Sequence, residues 1–135
     1  MKKFIISAAI IILAVMIWGY YTSTDSVHGA TVSASDPVVL FYGRECPHCQ
    51  IVEDFLNKNN VAQKVSFKQA EVFHNSDNQK IFVDKNKACG ITDENKMGVP
   101  LLWADGKCYI GQEDVIKYFQ DKMGISQPAA GNQQQ

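Results

Sequence analysis

Cys46 and Cys49 stand with only Pro47 and His48 between them. Two thiols at this spacing meet across a single helical turn, so they can close and open a small disulfide ring with little backbone movement. Pro47 suits the first turn of a helix, where its missing N–H costs nothing and its fixed φ is already helical. A helix start presents unsatisfied N–H groups and the positive end of a dipole, and both favour a thiolate over a thiol. His48 adds to that effect when it donates an N–H or carries a proton. Glu45 opposes it, and Arg44 offsets Glu45. A favoured thiolate stabilises the dithiol and makes the corresponding disulfide more oxidising. The chemistry on offer is dithiol–disulfide exchange, with Cys46 as the attacked or attacking sulfur and Cys49 as its internal partner.

Two other uses of the same residues stand beside this one. A four-cysteine zinc site would need Cys89 and Cys108, which do not form a second close pair. A copper or zinc carrier could use Cys46, Cys49 and His48, since thiolates suit such metals. A thioredoxin-like interaction domain without catalysis is the third option, and the intact cysteine pair argues against it.

The elements that must position the pair are legible around it. Val38-Val39-Leu40-Phe41-Tyr42 is a continuous run of strand formers, as expected of a strand buried on both faces. A helix follows from 47 to 59, with Ile51, Val52, Phe55 and Leu56 on one side. Residues 65–72 read as a second strand, and 77–88 as a helix built on Ile81, Phe82 and Ala88. Residues 99–103 give a third strand, Asp105-Gly106 a hairpin turn, and 107–110 a fourth strand. A last helix spans 112–123, with Val115, Ile116, Phe119 and Met123 inward. This order predicts an α/β fold, a four-stranded mixed sheet flanked by three helices.

The chain has 135 residues, 46% hydrophobic and 20% charged, with a formal net charge of −1. That is one domain with an apolar extra, and no basic field for nucleic acid. The extra is the first stretch, 1–21: Met1-Lys2-Lys3, then an apolar run from Phe4 to Tyr21. As a helix this run reaches about 27 Å, close to the hydrocarbon thickness of a bilayer. It reads as an N-terminal transmembrane helix whose lysines keep the N-terminus inside and send the remaining chain outside the cytoplasm. Small residues suited to signal cleavage, Val32-Ser33-Ala34, lie well past the run, and Val27-His28-Gly29 suits cleavage less, so an uncleaved anchor is favoured over a signal peptide. A cleaved segment would leave the domain secreted or periplasmic. Residues 22–36 read as a flexible tether, 37–124 as the domain and 125–135 as a disordered tail.

With these residues in view, the domain resembles the thioredoxin superfamily, and within it the glutaredoxins. Val39 to Cys49 resembles a glutaredoxin strand running into its active site. Gly98-Val99-Pro100 resembles the loop that carries a cis-proline beside the cysteines, and Asp105 to Asp114 resembles the hairpin and the opening of the last helix. The resemblance covers about 38–123. It implies a thiol–disulfide oxidoreductase whose cofactor is its own cysteine pair, without a prosthetic group. It also implies that Val99, ahead of Pro100, offers backbone hydrogen bonds to a substrate chain. Protein thiols and disulfides would be the substrates, and a membrane redox partner would recycle the pair. Three departures qualify it. The Pro-His dipeptide is that of the oxidising DsbA type, not of glutaredoxins, although the chain has no length for the helical domain usual in that type. Gly98 and Gln112 alter the glutathione-binding surface, which counts against glutathione as a partner. Leu40 stands where thioredoxins keep a buried acid.

Cys89 and Cys108 remain. In an oxidising compartment they suggest a structural disulfide, and two buried free thiols are the alternative. His28 in the tether and His74 in a polar loop read as solvated residues. Tyr42, Trp103 and Tyr109 read as packing residues.

Overall fold

The computed structural model describes residues 31–125. Along the chain it forms β1 (Val38–Tyr42), α1 (Pro47–Lys58), β2 (Lys68–Glu71), α2 (Ser76–Ala88), β3 (Leu101–Ala104), β4 (Lys107–Ile110) and α3 (Gly111–Met123). Short 3-10 turns occupy Val61–Gln63 and Glu94–Lys96. The strands make one four-stranded sheet in the order β2-β1-β3-β4. β1 runs parallel to β2 and antiparallel to β3, and β3 pairs antiparallel with β4. This is the thioredoxin-like α/β arrangement, a mixed sheet with three helices.

Strand residues alternate between the two faces of the sheet, and that alternation builds two cores. Leu40, Leu102 and Ala104 point to the side of α1 and α3, where they meet Val52, Leu56, Val115, Tyr118 and Phe119. Val39, Phe41 and Leu101 point the other way, to Phe82 of α2 and to Ala70 and Val72. β1 is buried on both faces because both are covered, which is why its sequence is apolar without interruption. The β3–β4 hairpin turns through Asp105 (φ 53°) and Gly106 (φ 75°), the pair of positive φ values that an Asp-Gly turn of this kind requires.

Several expectations shift. β2 is shorter than the stretch 65–72, because Val65 and Phe67 pack on the α1–α3 core from outside the ladder. β3 begins at Leu101, since Val99 and Pro100 belong to the loop before it. Ile51 is exposed on α1, whereas Tyr118 is buried on α3. Ala88 is exposed, and the buried side of α2 is carried by Asn78, Phe82 and Asn86.

The tether also ends earlier than 36. Val32 is buried, its N–H donating to Asn78 Oδ1 at 3.0 Å, while Lys85 Nζ donates to the Ala34 carbonyl at 2.8 Å. Asp36 pairs with Lys68 at 2.9 Å, and that bond, helped by the Ser33 N–H, holds the Asp36 carboxyl below its usual range. Residues 32–36 are thus bound along β2 and α2. Among the described residues no helix is long and apolar enough to cross a membrane. The anchor read at 1–21, His28 and nearly all of the tail lie outside the described residues.

Cys89 caps the C-terminus of α2, and Cys108 lies on β4 opposite Trp103. The two are joined as a disulfide, with their Cα atoms 6.1 Å apart. Lys85 sits over the Trp103 ring, 4.2 Å from its centroid, beside this bridge.

Candidate functional site

The site grows from the C-terminal end of β1. Gly43 to Glu45 carry the chain off the strand, and Cys46 then takes the N-cap position of α1 with extended backbone (φ −83°, ψ 115°). Pro47 follows in the first turn. The Cys46 sulfur accepts the Cys49 N–H at 3.4 Å, a donor it shares with the Cys46 carbonyl at 3.1 Å. On its other side the Cys46 thiol lies 3.5 Å from the Val99 carbonyl, to which it donates.

The two cysteines differ in access. Cys46 is half-buried and Cys49 is buried, only 1% exposed. Burial, reinforced by the hydrogen bond with Cys46, pushes the Cys49 thiol up to about 12. One sulfur of the pair therefore faces incoming molecules, and the other waits beneath it as a neutral thiol.

Val99 and Pro100 reach the site from the loop before β3, joined by a cis peptide bond. The Pro100 carbonyl accepts the N–H of Gly111 at 2.9 Å, tying this loop to the start of α3. Gly111 makes that turn with φ 84°, where a side chain would be strained. Between the loop and the helix start lies a depression of about 370 Å³, lined by His48, Val99, Pro100, Ile110, Gln112 and Asp114 among others.

His48 is exposed, and its Nδ1 lies 2.9 Å from Gln112 Oε1. The carbonyl oxygen must accept, so Nδ1 carries the proton there. The ring thereby bridges the start of α1 to the start of α3. The Cys46 sulfur meets the backbone of Cys49 and Val99, and His48's hydrogen bond goes to Gln112. Glu45 is likewise engaged away from the sulfur: its Oε1 lies 2.7 Å from His74 Nε2, and that bond holds the exposed carboxyl below its usual range. His74, exposed as expected of a solvated residue, is this partner.

Residues that pattern reading missed hold the rim. Glu71, 1% exposed at the end of β2, accepts the N–H groups of Phe73 and His74 at 2.9 and 2.8 Å. It folds the following turn back toward β1, so that Phe73 lies over Gly43, where any Cβ would run into its ring. Asn78 links this turn to α2, donating from Nδ2 to the Glu71 carbonyl at 3.0 Å. A buried glutamate and asparagine in polar stretches give no periodic signal; the strand end before a helix cap at Asn75 was the available hint.

Leu40 is buried in the core facing α1 and α3, 1% exposed, and carries no group that could transfer a proton. Among the described residues, the histidine, cysteine and acidic side chains gathered closely enough to share a metal ion are Glu45, Glu71 and His74. Cys46, Cys49 and His48 are not gathered in this way.

No family model matches the chain, and no curated protein matches it. Solved structures do. Wheat glutaredoxin is 29% identical, covers 68% of this chain and 76% of its own, and superposes with a TM-score of 0.45. The holo form of glutaredoxin C1 from Populus tremula x tremuloides is 22% identical, with 69% and 89% covered and a TM-score of 0.45. A glutaredoxin from Archaeoglobus fulgidus is 15% identical, with 66% and 87% covered and a TM-score of 0.45. What this chain is similar to, among solved structures, is the glutaredoxins.

Proposed function

We propose that the protein is a thiol–disulfide oxidoreductase that exchanges disulfides with protein substrates through Cys46 and Cys49. One observation carries this reading: the accessible Cys46 sulfur sits on a helix N-terminus beside the Val99 carbonyl, with the protonated Cys49 thiol buried behind it. In the reducing direction the Cys46 thiolate attacks a substrate disulfide. One substrate sulfur leaves as a thiolate, and a mixed disulfide forms. Cys49 then gives up its proton and attacks the Cys46 sulfur, releasing the second substrate thiolate. Two electrons pass from the pair to the substrate. The oxidising direction is the same sequence reversed: a substrate thiolate attacks Cys46 of the disulfide and Cys49 leaves. Burial favours the neutral Cys49, so a proton must reach it as it leaves.

The apolar run at 1–21 supports placing the enzyme at a membrane with its domain outside the cytoplasm, where a membrane redox partner would recycle the pair. The Cys89–Cys108 bridge supports the same placement, since such bonds persist in oxidising compartments. The metal-carrier reading has less behind it, because His48 is spent on Gln112 and lies outside any gathered ligand set with the cysteines.

The test is the reduction potential of the Cys46–Cys49 pair in the full chain, equilibrated in glutathione buffers, together with turnover of a small disulfide. A potential well above about −270 mV marks a disulfide donor, and one near or below it a reductase. Absence of any reversible dithiol–disulfide couple at these cysteines would sink the reading. The protein should not be trimmed at 36 for this purpose, because that removes the packed Val32.

A further inference from the structure

Val99 is the shared wall of two depressions. The first, described above, lies toward α3 and measures about 370 Å³. The second, of about 280 Å³, lies toward α2 and is lined by Val72, Phe73, Phe82, Val83, Met97 and Val99, with Gln79 and Glu94 at its polar margin. The Cys46 sulfur is 3.5 Å from the carbonyl of that dividing residue. Two of the large apolar side chains left exposed on the described surface border these hollows: Phe73, 54% exposed, in the second and Ile110, 48% exposed, in the first. An apolar strip thus runs from Phe73 across Val99 to Ile110, beside the reactive sulfur.

The strip has a sign as well as a polarity. The acidic side chains lining the two hollows are Glu94, Glu113 and Asp114, and neither lining includes a lysine or arginine. Lys96, in the same turn as Glu94, pairs with Asp93 at 3.8 Å. Arg44 is exposed and lines neither hollow. A ligand bearing carboxylates finds no fixed cation in either hollow, whereas an extended chain with a positive side chain finds two carboxylates at the start of α3.

We propose that the preferred substrate is an extended polypeptide cysteine, flanked on one side by an apolar side chain seated between Phe73, Phe82 and Met97, and on the other by a basic side chain over Glu113 and Asp114. In an extended chain crossing Val99 with its cysteine side chain at the Cys46 sulfur, the residues two positions before and two positions after share the cysteine's face, and the hollows they enter differ in character. This inference rests on the exchange reading, and it adds which chains are exchanged.

The test compares short cysteine peptides, each presented to the reduced full-length protein as a mixed disulfide with 2-mercaptoethanol. The set places Phe or Ser two positions from the cysteine on one side and Lys or Glu two positions from it on the other, in both orders. The neutral disulfide of 2-mercaptoethanol alone serves as the reference. The Phe–Lys peptides should exceed the Ser–Glu peptides in kcat/KM by about tenfold or more, from partial burial of one ring plus the charge contact. The lysine advantage should shrink as salt is raised. Phe73→Ala should collapse the Phe-over-Ser ratio, and Glu113→Gln with Asp114→Asn the Lys-over-Glu ratio. If the reference disulfide is exchanged but the peptides agree within about twofold, or the Ser–Glu peptides lead, the substrate inference fails while exchange stands. If neither the reference nor any peptide is exchanged, both fail.

Discussion

The chain holds two cysteine pairs, and their surroundings send them in opposite directions. Cys89 and Cys108 come from elements far apart in sequence, the end of α2 and the middle of β4, and their bridge closes a loop with a sequence separation of 19. Their neighbours are Trp103 and the Lys85 ammonium above its ring. Nothing there presents a sulfur to a helix N-terminus. Cys46 and Cys49 lie within one turn, with the first sulfur half-buried, accepting a backbone N–H and lying beside the Val99 carbonyl. A disulfide between distant elements acts mainly on the unfolded chain, by shortening the excursions open to it. One within a single turn restricts the unfolded chain little and is free to serve as a redox couple. Loop length and surroundings, not residue type, separate a brace from a reactive centre.

The contrast is broken most directly at Cys46. Cys46→Ser should reduce exchange with a small disulfide by on the order of a thousandfold or more, as loss of a nucleophile does. Cys49→Ser should instead leave a substrate held on Cys46 as a mixed disulfide, visible as added mass. If Cys46→Ser keeps its turnover, the assignment of roles within the pair is wrong. The brace gives the converse. Replacing Cys89 and Cys108 together by Ala should lower the stability by about 3 kcal/mol in chemical denaturation. The refolded variant should keep its exchange rate within about twofold. A variant of ordinary stability but lost exchange would move the second pair into the chemistry.

The two thiols of the reactive pair can be separated by pH. The buried Cys49 thiol, held up to about 12, sits well above an exposed thiol near 8.5. Below the unfolded value both states are protonated and the group has no effect on folding. Above it the unfolded chain releases a proton that the folded chain keeps, so stability falls as pH rises from about 9 toward 12. The contribution is at most about 1.4 kcal/mol per pH unit. Denaturation of the reduced protein between pH 7 and 10.5 should therefore decline more steeply than that of Cys49→Ala. Equal slopes would mean that Cys49 is not held as a buried neutral thiol. Iodoacetamide at pH 8 should accordingly label Cys46 and spare Cys49.

The sequence carried the reactive pair more fully than the surface around it, and for a physical reason. Proline at the start of α1, the uninterrupted β1 and the Asp-Gly turn are local choices, each made by residues within a few positions of where it acts. The rim is not local. Glu71 is buried because two N–H groups of the next turn fold onto it, and Asn78 because it joins Val32 to the end of β2 across distant parts of the chain. A polar residue in a polar stretch reads as solvated until its partners are known. The same blindness assigned Val32 to a tether, when its burial depends on α2. His48 and Gln112 were each legible as residues near the site, but their bond was not, since they stand 64 positions apart.

That bond permits the finest distinction. If the His48 ring acts on the Cys46 sulfur, the Gln112 bond competes by holding Nδ1 elsewhere. Gln112→Ala would free the ring for the sulfur and raise the reduction potential. An exposed hydrogen bond is worth roughly 0.5–1 kcal/mol, which corresponds to a shift of about 10–20 mV for a two-electron couple. His48→Ala should lower the potential, because the thiolate loses a donor and the dithiol form its stabilisation. Shifts of opposite sign place the histidine on the sulfur during exchange. Shifts of the same sign would mean that His48 and Gln112 act as a single strut between α1 and α3. The thiolate would then be held by the helix start and the Cys49 N–H without help from the ring.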